Sequence, residues 1–214
     1  MAASKTTAEP VLEFARAAEW HAWLAKHHAT ASGVLLRIAK KGAAPSITYE
    51  EAIDGALVWG WIDSQRRGLD VTAYLQRFSR RTATSPWSKI NCAKVEALIA
   101  NGKMKPIGLA EVERAKADGR WARAYDGARN STVPDDLKAA FTKNAAARRF
   151  FEELDGANRY AVLWRVQTAK KAETRASWIE RLVGMCARGE TIHPRATKKA
   201  AAKKKTAKKK AAGR

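Results

Sequence analysis

No stretch of this 214-residue chain is apolar for long enough to span a bilayer. The opening MAASKTTAEPVLEFARAAEW holds no hydrophobic run of signal-peptide length, so secretion by the ordinary route is disfavoured. The expected location is cytoplasmic, a setting that also allows association with the nucleoid. Cysteine is scarce: Cys92 and Cys186 lie far apart, in no CxxC and beside no histidine at ligand spacing, which leaves two buried reduced thiols as the expectation. Histidine is scarce too. His21, His27 and His28 crowd one expected helix without HExxH order, His21 and His28 stand two turns apart, and His193 adjoins the C-terminal segment, so no metal site is expected. GxxxxGK[ST], GxGxxG and GxSxG are all missing, and no cofactor is expected. The carboxylate pairs Glu50-Glu51, Asp135-Asp136 and Glu152-Glu153 fall at helix starts or on exposed faces, where the helix dipole and solvation account for them. With no nucleophile system assembled, catalytic residues are not assigned and a non-enzymatic role is expected.

Acid is what the C-terminus lacks most. Residues 195–214, RATKKAAAKKKTAKKKAAGR, hold ten Lys and Arg, no Asp or Glu and no large apolar side chain. The whole chain carries 41 Lys and Arg against 21 Asp and Glu, a net charge of +20, so this segment supplies half of it. Lys, Ala, Thr and Gly cannot bury enough surface to offset their ordering entropy, so the segment is expected to be disordered alone. Its lysines, Lys198, Lys199, Lys203, Lys204, Lys205, Lys208, Lys209 and Lys210, form a ligand for a polyanion that releases counterions on binding. Lysine rather than arginine dominates, which suits point-charge contact with phosphates and predicts no base preference. In composition the segment is similar to the tails of linker-histone-like and bacterial nucleoid proteins.

What remains is rich in aromatic residues, with all eight Trp and five Phe lying ahead of the basic segment. Trp20, Trp23, Leu24 and His27 repeat at i, i+3, i+4 and i+7 and predict a helix over Phe14 to His28. Val34–Ala39 reads as a strand. Thr48 with Glu51 forms a capping box opening a helix whose buried face takes Ala52, Ile53, Ala56, Leu57 and Trp61. Val71–Ser79 alternates, with Tyr74, Gln76 and Phe78 on one side and Leu75 and Arg77 on the other. Ser85-Pro86 reads as an N-cap and first helical position, and Pro106 begins a further helix. Beyond Val133 only helices are predicted: Pro134–Phe141, Asn144–Leu154, Asn158–Ala169 and Thr174–Ala187. The expected fold is α+β, a small antiparallel sheet packed with helices, then an all-helical part. The expected divisions are a flexible start (1–13), an α+β domain (14–130), a helical region (131–192) and the disordered basic tail (193–214).

Between Trp59 and Asn91 the chain concentrates its chemistry: WGWIDSQRRGLDVTAYLQRFSRRTATSPWSKIN. Trp61, Asp63, Ser64, Arg77, Arg80, Arg81, Ser85, Trp87, Ser88 and Asn91 are the candidate ligand-binding residues. Arginine and serine beside a helix N-terminus make an anion site, and the aromatic rings offer stacking planes. An architectural reading stands beside this one. Asp63 pairs with Arg77 or Arg80 to lock sheet to helix, and Trp59, Trp61 and Trp87 are core.

The run GWIDS, the strand Tyr74-Leu75-Gln76-Arg77-Phe78, the Arg80-Arg81 pair and SxWSxxN over Ser85–Asn91 resemble the bacteriocin-protection, YdeI/OmpD-associated family. The likeness extends upstream through Glu19-Trp20, Trp23-Leu24, Lys40-Lys41 and Thr48–Ala52. Downstream it takes in Asn101–Trp121, Val133–Leu137 and Lys170–Arg181, so it spans roughly Phe14 to Gly189. Where the family usually has Pro before the Arg pair, this chain has Ser79, and the basic tail lies outside the likeness. The resemblance implies a role in envelope or antimicrobial-peptide stress, and the family's name carries a periplasmic association. It brings no catalytic residues. Two functions follow as expectations. One is a non-enzymatic stress- or resistance-associated protein whose tail binds nucleic acid non-specifically. The other is a protein that binds a small anionic ligand or peptide on the Trp59–Asn91 surface, the tail being incidental.

Overall fold

The computed structural model describes residues 9–194 and divides the chain into two compact units, Met1–Ala124 and Tyr125–Arg214. The tail lysines, Lys198 to Lys210, lie outside the described residues. The architecture is α+β, with four strands and eight helices among the described residues.

In the first unit, β1 (Val11–Leu12), β2 (Gly33–Ala39), β3 (Trp61–Gly68) and β4 (Ala73–Arg80) form one sheet in the order β1-β2-β4-β3. Val34 pairs with Phe78, Leu36 with Gln76 and Ile38 with Tyr74, so the alternation read in β4 fixes which face is covered. On that face lie α1 (Ala17–His27) and α2 (Tyr49–Val58). Trp20 is the hub: it stacks on Trp23 at 5.4 Å, meets Trp61 edge-on at 6.5 Å and donates its Nε1–H to Ala52 O at 3.0 Å. Val95 of α3 (Lys89–Ala100) and Val112 of α4 (Pro106–Ala117) close the same core. The opposite face carries ion pairs, Glu9 with Arg77 and Glu13 with Arg37.

Some expectations give way here. The sheet is mixed, because β1 runs parallel to β2. The capping box at Thr48 and Glu51 forms as expected, yet α2 stops at Val58 and Trp61 opens β3 instead. Gly60, at φ +70°, makes that reversal, a conformation other residues adopt at a cost. Trp61 thus reaches the core from the sheet, at a spacing that coincides with a helical repeat. The next helix is capped by Ser88, whose Oγ accepts from Asn91 N at 3.1 Å, and not by Ser85. Residues 82–85 form a turn of their own, with Thr82 N donating to Ser85 Oγ at 2.9 Å and Ser85 N donating to Thr82 O at 3.1 Å.

Close packing sets where α4 lies. The Val58 carbonyl accepts Lys105 N at 3.2 Å, and a Cβ on Gly108 would sit 2.4 Å from that same oxygen.

The second unit holds α5 (Asp135–Thr142), α6 (Ala145–Glu152), α7 (Gly156–Thr168) and α8 (Ala172–Ala187), matching the four helices read from the pattern within a residue or two at most ends. Asn144 and Asp155 cap α6 and α7 through their side-chain oxygens. Phe141 and Phe151 stack at 4.6 Å within a core that also takes Leu137, Val162, Val166, Leu182 and Cys186. Arg175 fixes three helices at once, with its Nε on Asp136 Oδ2 at 2.6 Å and its Nη1 on Val166 O at 2.6 Å.

Candidate functional site

The bulge between Asp63 and Arg66 turns β3 so that Asp63, Arg66 and Gln76 all lie on the helix-covered face. Asp63 accepts from Tyr49 Oη at 2.9 Å. Burial pushes its carboxyl above the ordinary aspartate range, against the opposing pull of the Tyr49 hydroxyl and the Arg81 charge. Burial likewise raises the Tyr49 hydroxyl, which the Asp63 charge pushes further. Buried Gln76 donates to Ser64 O at 3.3 Å, and the Arg66 guanidinium lies 3.7 Å over the Tyr74 ring.

The two alternatives for Asp63 are thereby replaced: its partner is Tyr49. Arg77 points to the other face, where its Nε meets Glu9 Oε2 at 2.7 Å and its Nη1 reaches Ser64 Oγ at 3.3 Å. Arg80 donates to Ala29 O at 3.0 Å. The physical reason is alternation: Arg77 and Asp63 sit on opposite sides of the sheet, and Phe78 stands opposite Asp63 in register.

The segment Ser85–Asn91 is held from within. Arg81 and Arg120, 5% and 4% exposed, donate to Pro86 O at 3.1 Å and Ser85 O at 2.9 Å. The Arg81 guanidinium lies 3.5 Å over Trp87, and Trp87 packs against Trp121 at 4.9 Å. Trp61 and Trp87 are therefore core residues, Ser85 shapes a turn, and Ser88 spends its hydroxyl on the α3 cap. Asn91 is half-buried, one turn into α3. Cys92 follows it, its thiol pushed up to about 11 by burial. At the helix N-terminus read as an anion site, the Ser88 hydroxyl accepts the Asn91 N–H.

Of the ten expected residues, Arg80 and Arg81 alone line a cleft of this unit, a space of about 620 Å³. Its other walls come from distant sequence: His28 and Ala29 after α1, Trp59 and Gly60 at the reversal, and Ile107, Glu111 and Arg114 on α4. His28 packs against Trp59 at 4.6 Å with the rings tilted by 36°, and its Nδ1 lies 3.0 Å from Leu24 O. A carbonyl only accepts, so Nδ1 carries the proton and Nε2 is the ring's other polar atom. Trp59 Nε1 is buried with no hydrogen-bond acceptor. The clue to Trp59 was its position beside Gly60. Nothing local in the sequence marked Glu111 or Arg114.

These features describe an α+β unit with a cationic cleft, joined in sequence to a four-helix unit. Residues 130–189, spanning the helices of the second unit, match the model of the family described as Bacteriocin-protection, YdeI or OmpD-Associated. Residues 12–111 match a domain of unknown function (DUF8412). The GWIDS and SxWSxxN motifs fall in the latter, and of the stretches that suggested the family, the match takes in Val133–Leu137 and Lys170–Arg181. No curated protein and no solved structure matches the chain. Among the described residues no helix is long and apolar enough to cross a membrane.

Proposed function

We propose that the protein is a non-enzymatic, stress- or antimicrobial-resistance-associated protein of the YdeI/OmpD-associated kind that holds nucleic acid non-specifically through its C-terminal basic segment. The observation that carries this reading is charge segregation: ten Lys and Arg and no acid in residues 195–214. Lysine blocks separated by Ala and Thr offer phosphate contacts with no base-reading geometry. The core residues found among the described residues all lie ahead of this segment.

The test is a titration of duplex DNA at several salt concentrations, comparing the chain with a full-length variant whose eight tail lysines are Gln. If all ten basic groups engage phosphates, the wild-type slope of log affinity against log salt is on the order of −9, and the variant loses up to about 7 of it. Equal affinity and equal slope for both proteins would remove the tail from the mechanism.

A further inference from the structure

The helical unit presents a long open face beside its core. Thr174, Trp178, Arg181, Met185 and Arg188 of α8 repeat at i, i+4, i+7, i+11 and i+14, one stripe down that helix. The stripe borders two hollows, one of about 600 Å³ toward the α7–α8 turn and one of about 620 Å³ toward the end of α8. Arg165 and Trp178 line both, which joins them into a single trough. From Thr174 to Arg188 it runs about 21 Å at 1.5 Å per helical residue. Trp178 and Met185 rest on the core yet are only half-buried. Trp164 of α7 is half-buried too, is not among the residues packed on the core, and meets Tyr125 edge-on at 6.2 Å. The trough therefore has two indoles in its lining that the core leaves partly open.

Charge along it is one-sided. The walls carry Arg165, Lys170, Lys171, Arg181 and Arg188 against a single carboxylate, Glu180, and the hollow at the α7–α8 turn holds no acid. Glu173, in the first turn of α8, lines neither hollow. Arg188 is neutralised by Glu190, with Nε on Oε1 at 3.0 Å and Nη2 on Oε2 at 2.9 Å. Arg165 spends its Nη1–H on Ala161 O at 2.8 Å, so it lends charge more than donors. Lys170, Lys171 and Arg181 remain. All three are exposed and make no ion pair among the described residues. The Arg181 guanidinium lies 5.4 Å from the Trp178 ring, well beyond the 3.5 Å at which Arg81 is seated on Trp87, so it is loose enough to turn to a phosphate.

We infer that this trough holds single-stranded nucleic acid, with bases against Trp164 and Trp178 and backbone phosphates at Lys170, Lys171 and Arg181. Cations beside partly open aromatic rings suit a strand whose base faces are free, whereas a duplex hides those faces in its own stack. The concave form suits a chain laid along α8 better than the flat surface of a bilayer. The partner is of the same class as the tail's, but the residues are different and the two contacts are independent. The test therefore uses the full chain with its eight tail lysines changed to Gln. The probes are a short oligo(dT) strand, a short dA·dT duplex and phosphatidylserine vesicles. Oligo(dT) is expected to bind this protein at least about 10-fold more tightly than the duplex does. Adding Trp164→Ala weakens that binding by about 10-fold or more, the scale of one stacked base. Adding Lys170→Gln with Lys171→Gln lowers the slope of log affinity against log salt by about 1.4, and these exposed positions decide the matter should Trp164→Ala unfold. Four results overturn the inference: no oligo(dT) binding at micromolar concentration, equal binding of strand and duplex, a salt slope unmoved by the lysine pair, or vesicles bound in preference to oligo(dT). Wild type and tail variant holding duplex equally would remove the tail alone and leave the trough standing.

Discussion

The two units bury polar side chains in different ways. The helical unit buries one among the described residues, Asn158, and uses all of it: its amide donates to Asp155 Oδ2 at 3.1 Å and to His193 O at 3.2 Å, and its carbonyl accepts His193 N at 2.8 Å. That residue ties the chain after α8 back onto α7. Among the described residues the sheet unit buries Gln76, which holds the β3 bulge, Arg81 and Arg120, which hold the Ser85–Pro86 carbonyls, and Ser88, which caps α3. A buried guanidinium is expensive to desolvate, so two of them gripping consecutive carbonyls mark a place where backbone position matters more than stability. The first unit maintains the shape beside a cleft, whereas the second maintains a packed bundle.

Truncating the cores gives the largest effects and shows whether the units are comparably packed. Phe151→Ala breaks the stack with Phe141, and Trp61→Ala removes a fully buried ring. Each is expected to cost about 3–5 kcal/mol in denaturant unfolding. Protection lost in hydrogen exchange should fall in α5–α8 for the first variant and in the sheet for the second. A smaller effect tests the difference in buried polarity. Arg120→Ala is expected to cost about 2–3 kcal/mol and to raise exchange in residues 85–88, because it strands the Ser85 carbonyl it held. Unchanged exchange in that segment would mean that the arginine is idle and the contrast between the units is empty.

The smallest effect is in pH. Asp63 has its folded pKa raised, so its neutral form is favoured by folding and the contribution is fully present below the ordinary aspartate range. It is lost as pH rises through the raised value. Stability should therefore fall across the interval just above the ordinary aspartate range, and Asp63→Asn should flatten that slope. A steeper slope in the variant would place the titrating group elsewhere.

Periodicity made the helical unit legible, since each of its helices carries an apolar repeat and most begin at a polar or proline boundary. It also located β4, whose buried residues alternate from Tyr74 to Phe78, while β2 was legible as a short apolar run buried on both faces. It missed β3 because WIDSQRRG turns exposed and polar after its third residue, leaving no alternation to read. Trp61 compounded the error by falling at helical spacing from Leu57 across a reversal that Gly60 alone announces. The density of Arg, Trp and Ser between Trp59 and Asn91 pointed to one surface, but a strand sends neighbours to opposite sides. Arg77 and Arg80 consequently have unrelated surroundings. The cleft draws on residues 28, 59, 80–81 and 107–114, a combination that only the fold assembles.

The contact between α4 and the end of α2 has a mechanical corollary. Val58 O both receives Lys105 N and stands 2.4 Å from where a Gly108 methyl would be, so one atom sets the pitch of α4 and its clearance. Glu111 and Arg114 lie one and two turns farther along the same rod. A shim of a single carbon at position 108 would tilt that rod about its base and be magnified at its far end. Position 108 is therefore the adjusting screw for the aperture, able to change the width of the mouth while every residue that lines it stays the same.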